Sequence, residues 1–186
     1  MQQSNIISDC GKLSRLFADG TVFTAFDTET TGLKPEYERL IEIGAIRFDK
    51  NGIIARYDIL INPGKPIPPG ASAINNITDD MVRNCPLIES VLPDFLTFVR
   101  DSVLVAHNAG FDLSFVNKEL ERSGFNPLKN NAADTVHLAR SRFPQLPNHK
   151  LQSLAAYFGI DVRNAHRAED DARVCMEVFL RCLNAG

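Results

Sequence analysis

Residues 21–27 (TVFTAFD) are apolar, β-branched and aromatic, the composition of a buried strand. Residues 41–49 (IEIGAIRFD) alternate apolar and polar positions, and 53–62 (IIARYDILIN) is another extended run. Asn51-Gly52 lies between those two runs and is a strong hairpin signal. Three strands therefore come first, as an antiparallel meander. Ahead of them, Leu13, Leu16 and Phe17 fall at helical spacing within 8–19, closed by Asp19-Gly20, which predicts a short helix leading into the domain. After the meander, 63–70 (PGKPIPPG) is so rich in proline and glycine that a loop is expected. Thr78-Asp79-Asp80 reads as a helix start with Thr78 as N-cap. A helix at 88–99, a short buried strand at 102–106 and an amphipathic helix at 109–123 ended by Gly124 follow. Asp134 closes a fifth strand, and helices are expected at 135–142, 151–158 and 168–183. This order predicts an α/β fold, a five-stranded mixed sheet with three antiparallel strands first, flanked by helices.

The chain has 186 residues, the size of one domain with one substantial core. No repeat or linker divides it, so 1–20 reads as an N-terminal helical extension and 21–186 as the domain proper. A net charge of −3 argues against tight binding along a duplex, which calls for a broad basic face. It leaves room for a short single-stranded end held by bound cations. Cys10, Cys85, Cys175 and Cys182 form no C-x-x-C pair, so a zinc cluster is not expected. Cys175 and Cys182 would lie about 10 Å apart along a helix, too far for a disulfide. All four read as reduced thiols. With no signal-peptide pattern and no run approaching ~20 apolar residues, a cytoplasmic protein without membrane spans is expected.

The candidate chemistry lies in three stretches: FDTETTGL (26–33), AHNAGFD (106–112) and HRAEDD (166–171). Asp27 and Glu29 are two apart at a strand end, so both carboxylates face the same way and can reach one hard cation. Taken alone, such a pair is usually a solvated strand terminus. Asp112 sits near the start of a helix, where the dipole already favours an acid, and Asn108 would serve as a plain N-cap. His166 just precedes the last helix and Asp171 lies in its first turn, within a run of acids that the dipole also favours. Together, four carboxylates and an imidazole can hold two divalent cations and activate a water for phosphodiester hydrolysis. His166 suits the general base because its ordinary pKa lies near neutrality.

These stretches, with Asp134-Thr135, resemble the DEDDh family of 3′→5′ exonucleases of ribonuclease H-like fold, and within it the epsilon-type proofreading branch of bacterial replicative polymerases. The likeness runs from 21 to 183. It implies that Asp27, Glu29 and Asp171 hold the cation bearing the attacking water. Asp27 also bridges to a second cation supported by Asp112, with Mg²⁺ or Mn²⁺ as the two ions. It makes His166 the base, and a nucleoside 5′-monophosphate the product released from a single-stranded DNA 3′ end. Thr28, Thr30, Leu33, His107, Asn108 and Phe111 would line the terminal-nucleotide pocket, where Leu33 and Phe111 can contact any base face. One departure touches that pocket: many relatives carry a His-Gly-Ile-Thr-like segment where this chain has Asn75-Asn76-Ile77-Thr78.

Two other readings compete. Oligoribonuclease relatives usually have Met where this chain has Thr30, which favours DNA over an exoribonuclease. A non-catalytic module associated with a polymerase would be expected to have lost an acidic ligand, and all five positions are intact. The resemblance makes a DNA polymerase subunit an expected partner; with the last predicted helix ending close to Gly186, no polymerase-binding tail of the epsilon-like kind is expected, which leaves a free-standing enzyme, an excised domain or a subunit docking by another surface. His137 and His149 match no motif and read as structural or surface residues. Lys150, Arg140, Arg142 and Arg167 are candidates for phosphate contact. Phe95, Phe98, Phe115, Phe158 and Phe179 read as core.

Overall fold

The structure, a computed structural model, describes residues 5–184. Five strands form one sheet: β1 (Phe23–Thr30), β2 (Leu40–Asp49), β3 (Gly52–Leu60), β4 (Val103–Ala106) and β5 (Ala132–Asp134). Their spatial order is β3-β2-β1-β4-β5. The first three pair antiparallel, with the hairpin at Asn51-Gly52, while β4 and β5 run parallel to β1. The mixed sheet expected from the sequence is the one observed.

The sheet is covered on both faces because its strands alternate. Phe23 and Ala25 of β1 and Ile46 and Phe48 of β2 join one apolar cluster, beneath α1 (Cys10–Ala18), α7 (Leu151–Phe158) and α8 (Ala168–Asn184). Phe26, Ile43 and Ala45 join the other, beneath α4 (Ile88–Val99) and α5 (Ala109–Arg122). Phe95, Phe115 and Phe179 are fully buried, and Phe98 and Phe158 pack against these clusters, so these aromatics are core. The segment before 21 is built into the same body. Leu13 is fully buried, and Ile7 donates its backbone N–H to Ala132 at the β5 edge. Residues 1–4 of that segment lie outside the described ones.

Two local expectations fail in part. The loop expected at 63–70 holds through residue 68, but its last two positions begin α2 (Pro69–Asn75), for Pro69 sits at the helix start, where a missing N–H costs nothing. Thr78 does precede α3 (Asp79–Val82), but its side chain makes no capping bond. The remaining helix, α6 (Thr135–Arg142), is capped by Asp134, which accepts from the Val136 N–H. No helix among the described residues is long and apolar enough to cross a membrane.

Candidate active site

Alternation along β1 places Asp27 and Glu29 on the face that carries Phe23 and Ala25, the face covered by α8. In the antiparallel register, Asp27 lies opposite Gly44 and Glu29 opposite Glu42 of β2. Gly44 is where α8 begins its run across the sheet. A Cβ at this position would lie 2.1 Å from the backbone of Ala168 and Glu169, so only glycine admits this approach. Glu42 secures the same helix start. Its fully buried carboxylate accepts from the Ala168 N–H at 2.9 Å and from Arg167 Nη2 at 2.6 Å. Arg167, a candidate phosphate ligand by sequence, is therefore committed to Glu42.

This docking brings the third stretch to the first. Single ligand atoms of Glu29, His166 and Asp171 all lie within 4.8 Å of one another, a spacing that suits one metal ion. His166 is exposed and takes a left-handed backbone, φ 63°. That conformation costs a non-glycine residue about 1–3 kcal/mol. In it, the His166 N–H donates to Asp171 Oδ2 at 3.1 Å, and Gln152 Nε2 of α7 donates to the other oxygen at 3.1 Å. Gln152 and Glu42 both orient the site, and sequence reasoning missed both. Glu42 could have been suspected as an acid inside the strand IEIGAIRFD, and Gln152 carried no signal.

Asp112 arrives from the opposite face of the sheet. It is buried in the first turn of α5, and its Oδ1 accepts from the Thr28 N–H at 3.0 Å and the Thr28 hydroxyl at 2.8 Å. Thr28 thereby ties α5 to the strand that bears Asp27 and Glu29. The Asn108 side chain does not cap α5. Asn108 is left-handed, φ 67°, and Asp134 accepts from the N–H groups of Asn108 and Ala109 instead.

The electrostatics of the acids call for a cation. Burial, then the charges of Asp112, Glu29 and Asp171, push the Asp27 carboxyl well above the usual range. Glu29 is pushed up to about 8 by burial, then by Glu42 and Asp171, against a hydrogen bond from Asn75. Burial also raises Asp112, opposed by the Thr28 hydrogen bonds, and Asp171, opposed by the His166 N–H and Gln152. Among the described residues, no Lys or Arg pairs with any of these four acids. A cluster of half-buried and buried carboxylates without a protein cation fits hard divalent ions with oxygen ligands.

The six residues expected around a terminal nucleotide divide between two cavities. Thr28, Thr30, Leu33 and Phe111 line one of about 340 Å³, joined by Ile74 and Asn75. Leu33 and Ile74 are exposed apolar side chains at its wall. His107 and Asn108 line the other, larger cavity. Asn75, the departure from the usual histidine, is buried. It accepts from the Ile77 N–H at 3.1 Å, and its amide approaches the Thr30 carbonyl at 3.4 Å. His107 hydrogen-bonds the Thr135 hydroxyl through Nδ1 at 2.8 Å. Burial, against the nearby Asp134 charge, lowers the His107 pKa to about 4, so it is neutral near pH 7.

This fold, with acids gathered at the end of its central strand, defines a class of nucleic-acid hydrolase. The model of the RNase T exonuclease family matches residues 24–179, and the chain belongs to that exonuclease family. Among curated relatives, the chain is 55% identical over 159 residues to the DNA polymerase III subunit epsilon of Treponema pallidum, covering 84% of this chain and 74% of that protein. It is 39% identical over 161 residues to the PolC-type DNA polymerase III of Caldanaerobacter subterraneus, covering 87% of this chain but only 11% of that much longer one. Among solved structures, exonuclease X in complex with 5′-overhanging duplex DNA superposes with a TM-score of 0.71 at 28% identity, over 87% of this chain and 91% of that one. Escherichia coli exonuclease I in complex with a dA16 oligonucleotide shares the fold, with a TM-score of 0.77 at 22% identity, over 88% of this chain and 41% of that one.

Proposed function

We propose that this chain is a 3′→5′ exonuclease that removes nucleotides from single-stranded DNA ends, releases nucleoside 5′-monophosphates and proofreads for a DNA polymerase of the cytoplasm. The observation that carries the reading is the convergence of Glu29, His166 and Asp171 within 4.8 Å beside the like-charged Asp27 and Asp112. Asp27, Glu29 and Asp171 would hold one divalent cation, Mg²⁺ or Mn²⁺, and Asp27 with Asp112 a second. Two such ions, when bound, supply a nucleophilic water at neutral pH and stabilise the leaving oxygen.

The chain's own groups do the rest. His166 accepts the proton of the attacking water at a ring nitrogen, and its exposure lets that proton pass to solvent. Asp171 is oriented by the His166 N–H and Gln152, and Asp112 by Thr28. Leu33, Ile74 and Phe111 offer apolar surface to the terminal base in the 340 Å³ cavity, without donors that would read its identity. Identity to an epsilon subunit over most of its length supports DNA and a polymerase partner.

The test is a gel assay with 5′-labelled single-stranded DNA and its RNA counterpart, each with Mg²⁺, Mn²⁺ or a chelator. A metal-dependent ladder shortening from the 3′ end of DNA is expected. A ladder on RNA alone would move the enzyme to the exoribonucleases, and no ladder on either would sink the reading.

A further inference from the structure

The cavity of about 940 Å³ that meets His107 and Asn108 is walled by His137 and Arg140 of α6 and by His149 and Lys150 just before α7. Its acidic lining residue is Asp134, whose carboxylate accepts from the N–H groups of Asn108, Ala109 and Val136. Arginines nearer the acidic site are tied up: Arg167 with Glu42, Arg56 with Glu169, Arg39 and Arg122 with Glu119. Arg140 and Lys150 are exposed, and among the described residues neither pairs with a carboxylate. In a chain of net charge −3, this groove gathers Arg140, Lys150 and three imidazoles around a single carboxylate already held by backbone N–H groups.

Its position gives it a use. The groove and the 340 Å³ cavity both open on the 107–111 segment, the first through His107 and Asn108 and the second through Phe111. A ligand ending in the smaller cavity and passing Asn108 enters the groove. We propose that the groove holds the phosphodiester backbone of the nucleotides that precede the terminal one, with Arg140 and Lys150 as the phosphate partners. The proposal rests on the nuclease reading. It accounts for how an acidic protein retains a polyanion: two free cations line the strand's entry, and single-strand binding needs no wide basic face.

Two substrates separate the groove from the catalytic centre. The p-nitrophenyl ester of thymidine 5′-monophosphate fills only the terminal site, whereas an eight-nucleotide oligothymidylate also reaches the groove. For Arg140→Glu/Lys150→Glu, KM on the octamer should rise about tenfold or more with the ester hydrolysed at the wild-type rate. The charge-retaining pair Arg140→Lys/Lys150→Arg should restore most of the octamer KM. For the alanine pair, the slope of log KM against log salt should fall by about 1.4, at ~0.7 for each phosphate-neutralising side chain removed from a single strand. An unchanged octamer KM in a wild type that cleaves both substrates overturns the groove alone. So does an equal loss on the ester, which would place the two residues in the catalytic centre. A wild type that cleaves neither substrate overturns the nuclease reading, and this proposal with it.

Discussion

Gly44→Ala is the substitution that most directly tests how the site is assembled. Its Cβ would stand 2.1 Å from Ala168 C and Glu169 N, whereas ordinary contact begins at 3.4 Å, so β2 and the start of α8 must part by about 1.3 Å. Both neighbours are backbone atoms, and no side chain can swing aside. Glu42, two residues away, holds that helix start through Arg167 and the Ala168 N–H and resists the shift. Overpacking of this kind costs about 1–3 kcal/mol. Replacing glycine also restricts the unfolded chain, which offsets about 0.4–1 kcal/mol. A net loss of about 1–2 kcal/mol should lower Tm by roughly 2–8 °C at this size. Activity should suffer more than stability. Asp27 and Glu29 stay with the sheet while His166 and Asp171 move with α8, and a displacement of ~1 Å can cost about 10²-fold. Thermal denaturation, Mn²⁺ titration by calorimetry and hydrolysis of a labelled oligonucleotide read the three effects. A variant that melts, binds Mn²⁺ and cleaves like the wild type would show that α8 does not rest on β2 at this distance.

Other outcomes follow from the same arrangement. Because Glu29 rises from 4.5 to about 8 on folding, the metal-free folded state binds more protons than the unfolded one. Glu29 therefore makes stability in chelator fall as pH rises from about 4.5 to about 8. His107, lowered from 6.5 to about 4, opposes that fall below about 6.5, so the net fall should show between about 6.5 and 8, and saturating Mg²⁺ or Mn²⁺ should flatten or reverse it. A Tm in chelator that climbs over this range would contradict the sign. Asp27→Asn and Asp112→Asn should abolish hydrolysis yet raise the metal-free Tm by a few degrees by relieving buried repulsion; full activity in either would refute its assigned role. Arg167→Met strands the buried Glu42 carboxylate and should cost about 3 kcal/mol in denaturant melts, more than Arg167→Lys. His166→Ala should lower kcat by about 10²–10⁴ with metal affinity weakened less, and a rate within twofold of wild type would rule out the base.

Much of this protein was legible in its sequence because periodicity is a local property. The alternation in β2 and the Asn-Gly turn placed the meander, and the helical spacing in 88–99 and 109–123 placed α4 and α5. The short helix at Pro69–Asn75 escaped because proline marks both loops and first helical turns. The Thr78 and Asn108 caps were expected from residue type alone, and the side-chain bonds they required did not form. The acids of the candidate site could be named from their motifs, and Asp27 and Glu29 placed on one face by the strand's period.

What the chain could not disclose by itself is which partners meet across long separations. Glu42 and Arg167 lie 125 residues apart, and Thr28 and Asp112 lie 84 apart. Their pairing depends on sheet order and on the angle at which α8 crosses β2, neither of which any local pattern encodes. The role of Gly44 is of the same kind: in sequence it is a small residue in a strand, and only the packed helix shows why nothing larger fits. The division of the six nucleotide-pocket residues between two cavities, and the unpaired cations along one of them, likewise arise from surfaces that exist only once the helices are docked. Sequence determined the elements and the chemistry available to them. Tertiary packing decided which groups share a site, because that depends on distances set by the whole core.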